Sequence, residues 1–252
     1  MSDVMLAALA VIAGAAAGGF VQGMSGFAFG LVALSIWAWA LPPQTAAPLA
    51  VFGALLGQIF SFASFRKGFD FQKIWPLVAG GALGVPFGVF LLHNVNPVAF
   101  KLLIGVVLSL YSAFLLALRA PPIIRAGGRS ADAAVGWVGG VLGGLGGMAG
   151  FAPALWTTLR GWKPEVRRGA MQAFNIAMHT LTLSAYATTG ALSANVFRLT
   201  LLVAPAMLIP AYFGARLTRR ISERAFTRLV LGLLLASGLA LLYGAGRGMM
   251  GR

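Results

Sequence analysis

A six-residue glycine phrase occurs twice in this sequence, each time within a long apolar stretch. GMSGFA stands at residues 23–28 and GMAGFA at residues 147–152, so almost half of the 252-residue chain separates the two copies. Glycine pairs weaken a helix, and inside a bilayer a broken helix is tolerated only where it is buried in protein or lines a cavity. Two breaks in matching halves therefore predict a duplicated membrane protein with a binding site at the breaks. The alternative is that these glycines only allow helices to pack closely.

The composition also favours a membrane protein. The chain is 59% hydrophobic and 10% charged, and apolar runs long enough to cross a bilayer recur from end to end. We therefore predict an all-α, polytopic membrane protein without a soluble domain. The formal charge of +14 does not indicate nucleic-acid binding, because the basic residues lie between the apolar segments, as in cytoplasmic loops. With no cysteine, two histidines and no clustered acids, neither a metal site nor a cofactor is predicted.

The polar segment at residues 119–132 divides the chain into two predicted repeats, residues 1–120 and residues 121–252. Each repeat is expected to contain one broken, glycine-hinged element followed by three transmembrane helices. This gives eight to ten membrane segments, depending on whether both arms of each broken element cross the bilayer. Gly84 and Gly88 form a GxxxG pair, which predicts that their helix packs closely on a neighbour.

The basic residues indicate how each half is oriented. Most of the 19 lysines and arginines fall in four turns, at residues 66–73, 119–129, 160–168 and 216–228. Such turns face the cytoplasm. Corresponding turns of the two halves have opposite character, since residues 160–168 are basic where residues 41–44 are uncharged, and residues 216–228 are basic where residues 94–97 are uncharged. We therefore predict two inverted-topology repeats in the cell inner (plasma) membrane, with both termini on the extracytoplasmic side.

The second arm of each break begins a helix, and helix starts offer unpaired backbone N–H groups that bind anions without a charged side chain. The candidate substrate-binding backbones are those of Ser25, Gly26, Phe27, Ala149, Gly150 and Phe151. Ser25 also offers a hydroxyl group. The two phenylalanines would exclude water or pack against the ligand, and ordinary helix packing is their alternative role.

Further candidates lie on the helix that follows each break. Gln172, Asn175 and His179 are spaced by three and four residues and so share one helix face, and Gln58 holds the position in the first half that corresponds to His179. Polar groups inside a membrane helix are costly and usually face a cavity or a partner. We predict that these four side chains bind the substrate, the alternative being hydrogen bonds that join helices.

The two glycine phrases, the two-half organisation and the short glycine-rich spans resemble the sulfite exporter TauE/SafE family over nearly the whole chain. The resemblance implies transport of small anions, often sulfite, sulfonates or related sulfur compounds.

Energetics favour export. None of the five acidic residues lies in a predicted span, so no carboxylate relay for protons is expected. An anion that leaves a cell with a negative interior gains about 2.3 kcal/mol per charge per 100 mV. Potential-driven, uniport-like efflux therefore needs no coupling ion.

Three alternatives are open. The first is a transporter of another organic anion, metabolite or lipid phosphate. The second is an intramembrane enzyme, which would need paired acids or a Ser–His arrangement; because nothing in the sequence orients His179 toward Ser25, no enzymatic activity is predicted. The third is a structural subunit, which would need no polar, repeat-related pocket.

Overall fold

The structure, a computed structural model, describes residues 3–61, 70–117, 122–217 and 223–250. Within these residues the chain is helical and contains no strand. The helices are α1 (Asp3–Ser25), α2 (Phe29–Ala40), α3 (Pro43–Ser61), α4 (Phe71–Asn94), α5 (Pro97–Ala117), α6 (Gly128–Gly146), α7 (Phe151–Leu159), α8 (Pro164–Thr188), α9 (Ala194–Leu217) and α10 (Glu223–Met250). The basic residues at 66–67, 119 and 219–220 lie outside the described part of the chain.

The helices confirm an all-α, multi-pass membrane protein. Six of the described helices are long and apolar enough to cross a bilayer, namely α1, α3, α4, α5, α9 and α10. Helices α6 and α8 have 19 and 25 residues but are less apolar, because α6 is rich in glycine and α8 carries polar side chains. The inverted repeats and the count of eight to ten membrane segments stay predictions.

Both glycine phrases interrupt the helices where the sequence predicts. Helix α1 ends at Ser25, and helix α6 ends at Gly146. Gly26 and Gly147 then adopt positive φ angles of 85° and 72°, a region open to glycine at little cost. The helices that follow, α2 and α7, have 12 and 9 residues, about 18 Å and 14 Å at about 1.5 Å per residue. Each break therefore leads into a helix that is too short to span about 30 Å of hydrocarbon.

Glycines bring two pairs of helices into direct backbone contact. On α4 and α6, Gly84 lies against the carbonyl group of Trp137, and Gly140 lies against that of Gly81. On α1 and α9, Gly19 and Gly23 face the carbonyl groups of Met207 and Ala211 in the same way. A β-carbon at any of these glycines would collide with a neighbouring backbone atom. The prediction of close packing at Gly84 and Gly88 is thus confirmed, since Gly88 also touches the backbone of α6.

The helices of two other pairs, α5 with α10 and α3 with α8, run antiparallel to each other. In the pair α5 and α10, Gly105 faces Leu242. One turn later in α5, Ser109 faces Gly238, which lies one turn earlier in α10. Towards the start of α5 and the end of α10, Lys101 and Gly244 both contact Trp39 of α2. In the pair α3 and α8, the end of α3 contacts the first half of α8, and the start of α3 lies near its second half. These four helices surround the region where the two breaks lie.

The structure corrects the position of one acidic residue. The sequence analysis placed Asp132 in the polar segment between the halves, whereas the structure places it in a helix. Gly127 and Gly128, both with positive φ, turn the chain so that α6 begins earlier than its apolar pattern indicates. Asp132 therefore lies in the second turn of α6, where it is only 5% exposed. The indole Nε1 of Trp156 donates a hydrogen bond of 2.6 Å to its carboxylate, and Arg160 pairs with the same oxygen at 3.9 Å.

Candidate functional site

A cavity of about 650 Å³ extends from the first half of α8 to the first glycine break. Helices α5, α7, α8 and α10 and the residues of the break form most of its wall. Of the ten predicted substrate-binding residues, the cavity is lined by Ser25, Gly26, Phe27, Gln172 and Asn175. The other five, Gln58, Ala149, Gly150, Phe151 and His179, are not among its lining residues. The structure thus brings half of the predicted set to one surface.

Two glutamine side chains hold the first break in its shape. The carbonyl group of Gly26 accepts hydrogen bonds from Nε2 of Gln22 at 3.2 Å and from Nε2 of Gln58 at 3.0 Å. The other end of the Gln22 amide, Oε1, accepts the N–H group of Phe29 at 3.0 Å and so caps the start of α2. One N–H group at the start of α2 is therefore already occupied by the protein, and Gln58 acts on the break rather than on the cavity surface.

Ser25 offers less to a ligand than its sequence position indicates. Its hydroxyl group donates a hydrogen bond of 2.8 Å to the carbonyl group of Val21, one turn earlier in α1. The hydroxyl oxygen in turn faces the N–H group of Phe27 at 3.5 Å. The hydroxyl proton of Ser25 is therefore used within the protein. Ser25 forms part of the cavity wall but does not offer this proton to a ligand.

The polar face of α8 is divided between the cavity and the protein interior. Gln172 lines the cavity and donates a hydrogen bond to the backbone carbonyl group of Gln58. Asn175 also lines the cavity, is 1% exposed, and its Oδ1 has no hydrogen-bond partner among the described residues. His179, one turn further along, is 2% exposed, and its Nδ1 is likewise unpaired within the described chain. An unpaired buried polar atom costs about 1–3 kcal/mol, so such atoms call for an explanation.

The second break is enclosed by protein. Ala149 is fully buried, and Gly150 lies against the side-chain amide of Asn175. Gly30, in the first turn of α2, lies against the carbonyl group of Gly147, so the two broken segments touch each other. Phe151 packs its ring on Tyr111, with the ring centroids 4.5 Å apart. Since Tyr111 lines the cavity, Phe151 supports the cavity wall from behind.

The cavity has cationic residues that the sequence analysis did not select. Arg167 and Arg168 both line it, and Nη1 of Arg167 donates a hydrogen bond of 3.1 Å to the hydroxyl group of Thr158, another lining residue. None of the described lining residues is acidic, whereas two of them are arginines. Such a surface raises the local concentration of anions.

The arginines were missed because residues 160–168 read as a cytoplasmic turn. Pro164 holds the first position of α8, where proline is favoured, so Arg167 and Arg168 already belong to the helix. Arg168 lies one turn before Gln172 on the same face, and this spacing would have placed it beside the predicted site.

The described residues contain no group of three or more metal-ligating side chains of the His, Cys, Asp and Glu types. The buried acid Asp132 is held by Trp156 and Arg160 and is not a lining residue of the cavity. The described lining includes N–H and O–H groups, on Arg167, Asn175 and Tyr111, that can donate hydrogen bonds to an anion.

The fold and the cavity define a multi-pass, α-helical membrane protein with a cavity that two arginines line. The sequence matches a family model described as Sulfite exporter TauE/SafE over residues 10–241, so this chain belongs to that family. The resemblance carried by the glycine phrases is thereby confirmed. The family implies membrane transport of sulfur anions such as sulfite, and its members are transporters rather than enzymes. No curated protein and no solved structure matches the chain.

Proposed function

We propose that this protein exports a small sulfur oxyanion, sulfite or an organosulfonate, from the cytoplasm by alternating access between two inverted repeats. The observation that carries the proposal is the cavity, which joins Arg167 and Arg168 to the break at Gly26 and has no acidic residue among its described lining. Anions enter such a chamber along a favourable electrostatic gradient, and the break and the α8 amides lie at its inner end.

The packing of the helices supports inversion of the repeats. If the fourth helix of one repeat corresponds to the fourth of the other, the contacts of α1 with α9 and of α6 with α4 are equivalent, and both depend on glycine. The corresponding helices α5 and α10 run antiparallel, and so do α3 and α8. Corresponding helices of opposite direction are what an inverted-topology repeat requires.

The proposed roles of the residues follow from their contacts. Arg167, Tyr111 and Asn175 supply guanidinium, hydroxyl and amide donors to the bound anion. The remaining predicted residues hold these groups in place: Gln58 through the carbonyl group of Gly26, and Phe151 through the ring of Tyr111. Charge-assisted hydrogen bonds to guanidinium are stronger than neutral ones, so Arg167 carries the largest share of the affinity in this proposal.

The charge distribution supports the proposed direction of transport. Because Arg167 and Arg168 lie in the first turns of α8 and Arg160 just before that helix, the positive-inside rule assigns this end of the cavity to the cytoplasm and both termini to the opposite side in this proposal. The membrane potential then favours efflux by about 2.3 kcal/mol per negative charge per 100 mV. No coupling ion is needed in this scheme.

A second cargo class has support from the same site. An arginine fork binds a carboxylate with two parallel hydrogen bonds as readily as it binds a sulfonate. A volume of about 650 Å³ exceeds the need of a bare sulfite ion and falls in the range of about 300–1,000 Å³ typical of organic ligands. Organic carboxylates therefore belong in any substrate panel.

The test uses purified protein in liposomes loaded with radiolabelled sulfite, organosulfonates, sulfate, phosphate or carboxylates. We expect efflux of a sulfur oxyanion that accelerates with an imposed membrane potential. Acceleration by a proton gradient alone would contradict the uniport scheme, and preference for carboxylates would replace the proposed cargo.

Two variants test the site itself. Arg167→Gln and Asn175→Ala should each lower flux at least tenfold at unchanged folded yield. Arg198→Gln is the matched control, since Arg198 is exposed on α9 and does not line the cavity. Equal flux in all three proteins would show that the cavity does not bind the cargo.

A further inference from the structure

A line of polar side chains on α8 continues beyond the cavity into closely packed protein. We name Asn175, His179, Thr182 and Tyr186 the polar stripe; their spacings of four, three and four residues place them on one helix face. Asn175 lies at the cavity surface, whereas the other three are not cavity-lining residues. The stripe therefore begins at the proposed site and leads away from the arginines, toward the opposite end of α8.

The middle of the polar stripe is buried and unsatisfied. His179 is 2% exposed and Thr182 is fully buried, yet Nδ1 of His179 and Oγ1 of Thr182 have no hydrogen-bond partner within the described residues. Side chains whose role is to join helices make hydrogen bonds, and buried polar atoms in folded proteins are almost always paired. These two groups are therefore better explained by a partner that is bound in another state of the protein.

The contacts at its two ends locate the polar stripe beside the second glycine break. At one end Asn175 touches Gly150, and at the other the hydroxyl group of Tyr186 donates a hydrogen bond to the carbonyl group of Gly144. His179 and Thr182 lie between these contacts along α8 and so run alongside the segment 144–150. The first break thus faces the open cavity, and the second break faces a row of unsatisfied polar groups.

We infer that the polar stripe and the second break form a second anion subsite, which opens toward the extracytoplasmic side when the cytoplasmic cavity closes. This inference rests on the proposed function and adds the path by which the anion leaves. The hydroxyl group of Thr182, one ring N–H of His179 and the amide of Asn175 are donors suited to an oxyanion. The occupant would be the same sulfur oxyanion that enters beside Arg167.

The first experiment separates a ligand site from a packing role. Thr182→Val removes the hydroxyl group and keeps the shape of the side chain. Because that hydroxyl has no partner here, we expect an unchanged or higher melting temperature together with at least a tenfold loss of anion efflux from liposomes. Thr182→Ser should restore most of the flux. Thr188→Val is the control, since Thr188 is exposed on the same helix and its hydroxyl group donates a hydrogen bond to the carbonyl group of Ala185 in that helix.

Any other result of this experiment contradicts the inference. Wild-type flux in Thr182→Val would show that the hydroxyl group does not contact the cargo. A lowered melting temperature with a proportional loss of flux would show that Thr182 stabilises the fold instead. If the wild-type protein moves no anion of the panel, the proposed function fails first; if it moves one normally while Thr182→Val is also normal, only the second subsite fails.

A second experiment tests whether this region opens. Because the chain has no cysteine, Thr182→Cys introduces a single thiol, and membrane-impermeant thiosulfonate reagents can label it if it becomes accessible. We expect labelling from the extracytoplasmic side that isethionate slows at least threefold; isethionate is used because sulfite itself attacks the reagent. Met178→Cys, equally buried on α8 but set against Gly81 of α4, should stay unlabelled. An unreactive Thr182→Cys in active protein, or labelling that isethionate does not slow, contradicts the subsite.

Discussion

Replacement of Gln22 by methionine should destabilise the first glycine break, because methionine has an unbranched side chain of similar length but no amide group. Gln22 is 1% exposed, and its amide makes two hydrogen bonds that join the end of α1 to the start of α2. Methionine leaves the N–H group of Phe29 without its acceptor, which costs about 1–3 kcal/mol for a buried donor. The carbonyl group of Gly26 loses one of two donors but keeps Gln58, so this loss adds only about 0.5–1 kcal/mol. The expected destabilisation is therefore about 1.5–4 kcal/mol in all.

The assay is reversible unfolding by SDS in mixed micelles, followed by circular dichroism. Gln44→Met is a matched control, because Gln44 also donates two hydrogen bonds to backbone carbonyl groups, those of Leu92 and Val95. Its side chain is exposed and both bonds are long, at 3.3 Å, so its loss should cost less than about 1 kcal/mol. Anion efflux should fall in Gln22→Met and not in Gln44→Met. Equal shifts in the two unfolding midpoints would refute the role assigned to Gln22.

Two further predictions concern helix packing. Gly84→Ala should lower stability by about 1–3 kcal/mol in the same unfolding assay, because its new β-carbon would meet the carbonyl group of Trp137. Gly232→Ala, in the open on α10, should be neutral or stabilising by up to about 1 kcal/mol, and a similar loss in both variants would contradict this account. Asp132→Asn should cost about 1–2 kcal/mol, since it keeps an acceptor for Trp156 but leaves the largely buried guanidinium of Arg160 without its counter-charge. A double-mutant cycle with Arg160→Gln should return a coupling energy of at least about 0.5 kcal/mol, and additivity within error would exclude the ion pair.

The breaks were predictable from the sequence because their cause is local. Glycine pairs within an apolar run weaken the helix wherever they stand, and α1 and α6 end within two residues of where the phrases begin or end. The close contact at Gly84 was predictable for a similar reason, because a GxxxG pair forms a groove on its own helix. These features depend on neighbours in the chain and not on the rest of the fold.

The surroundings of the breaks could not be predicted in the same way. Arg167 and Arg168 have the sequence pattern of a cytoplasmic turn. The spacing of Arg168 and Gln172 places both on one helix face, but only the fold shows that this face lines the cavity. Asp132 read as part of a linker because its partners are distant in the chain: Trp156 lies in α7, and Arg160 follows the end of that helix. Periodicity shows which residues share a face but does not show what that face meets.

The two glycine phrases differ in one residue, and yet their second glycines have different surroundings. A β-carbon at Gly26 would meet nothing within 4 Å, whereas one at the corresponding Gly150 would meet the amide of Asn175. The first glycines, Gly23 and Gly147, both lie against backbone atoms. Local sequence therefore determines that the helix breaks, and tertiary contacts determine whether the break is open or enclosed. In a pair of inverted repeats either phrase can adopt either environment, because the same contacts can be exchanged between the halves. On our proposal the enclosed second break corresponds to the open first break in the state that faces the other side, and transport of the anion is that exchange.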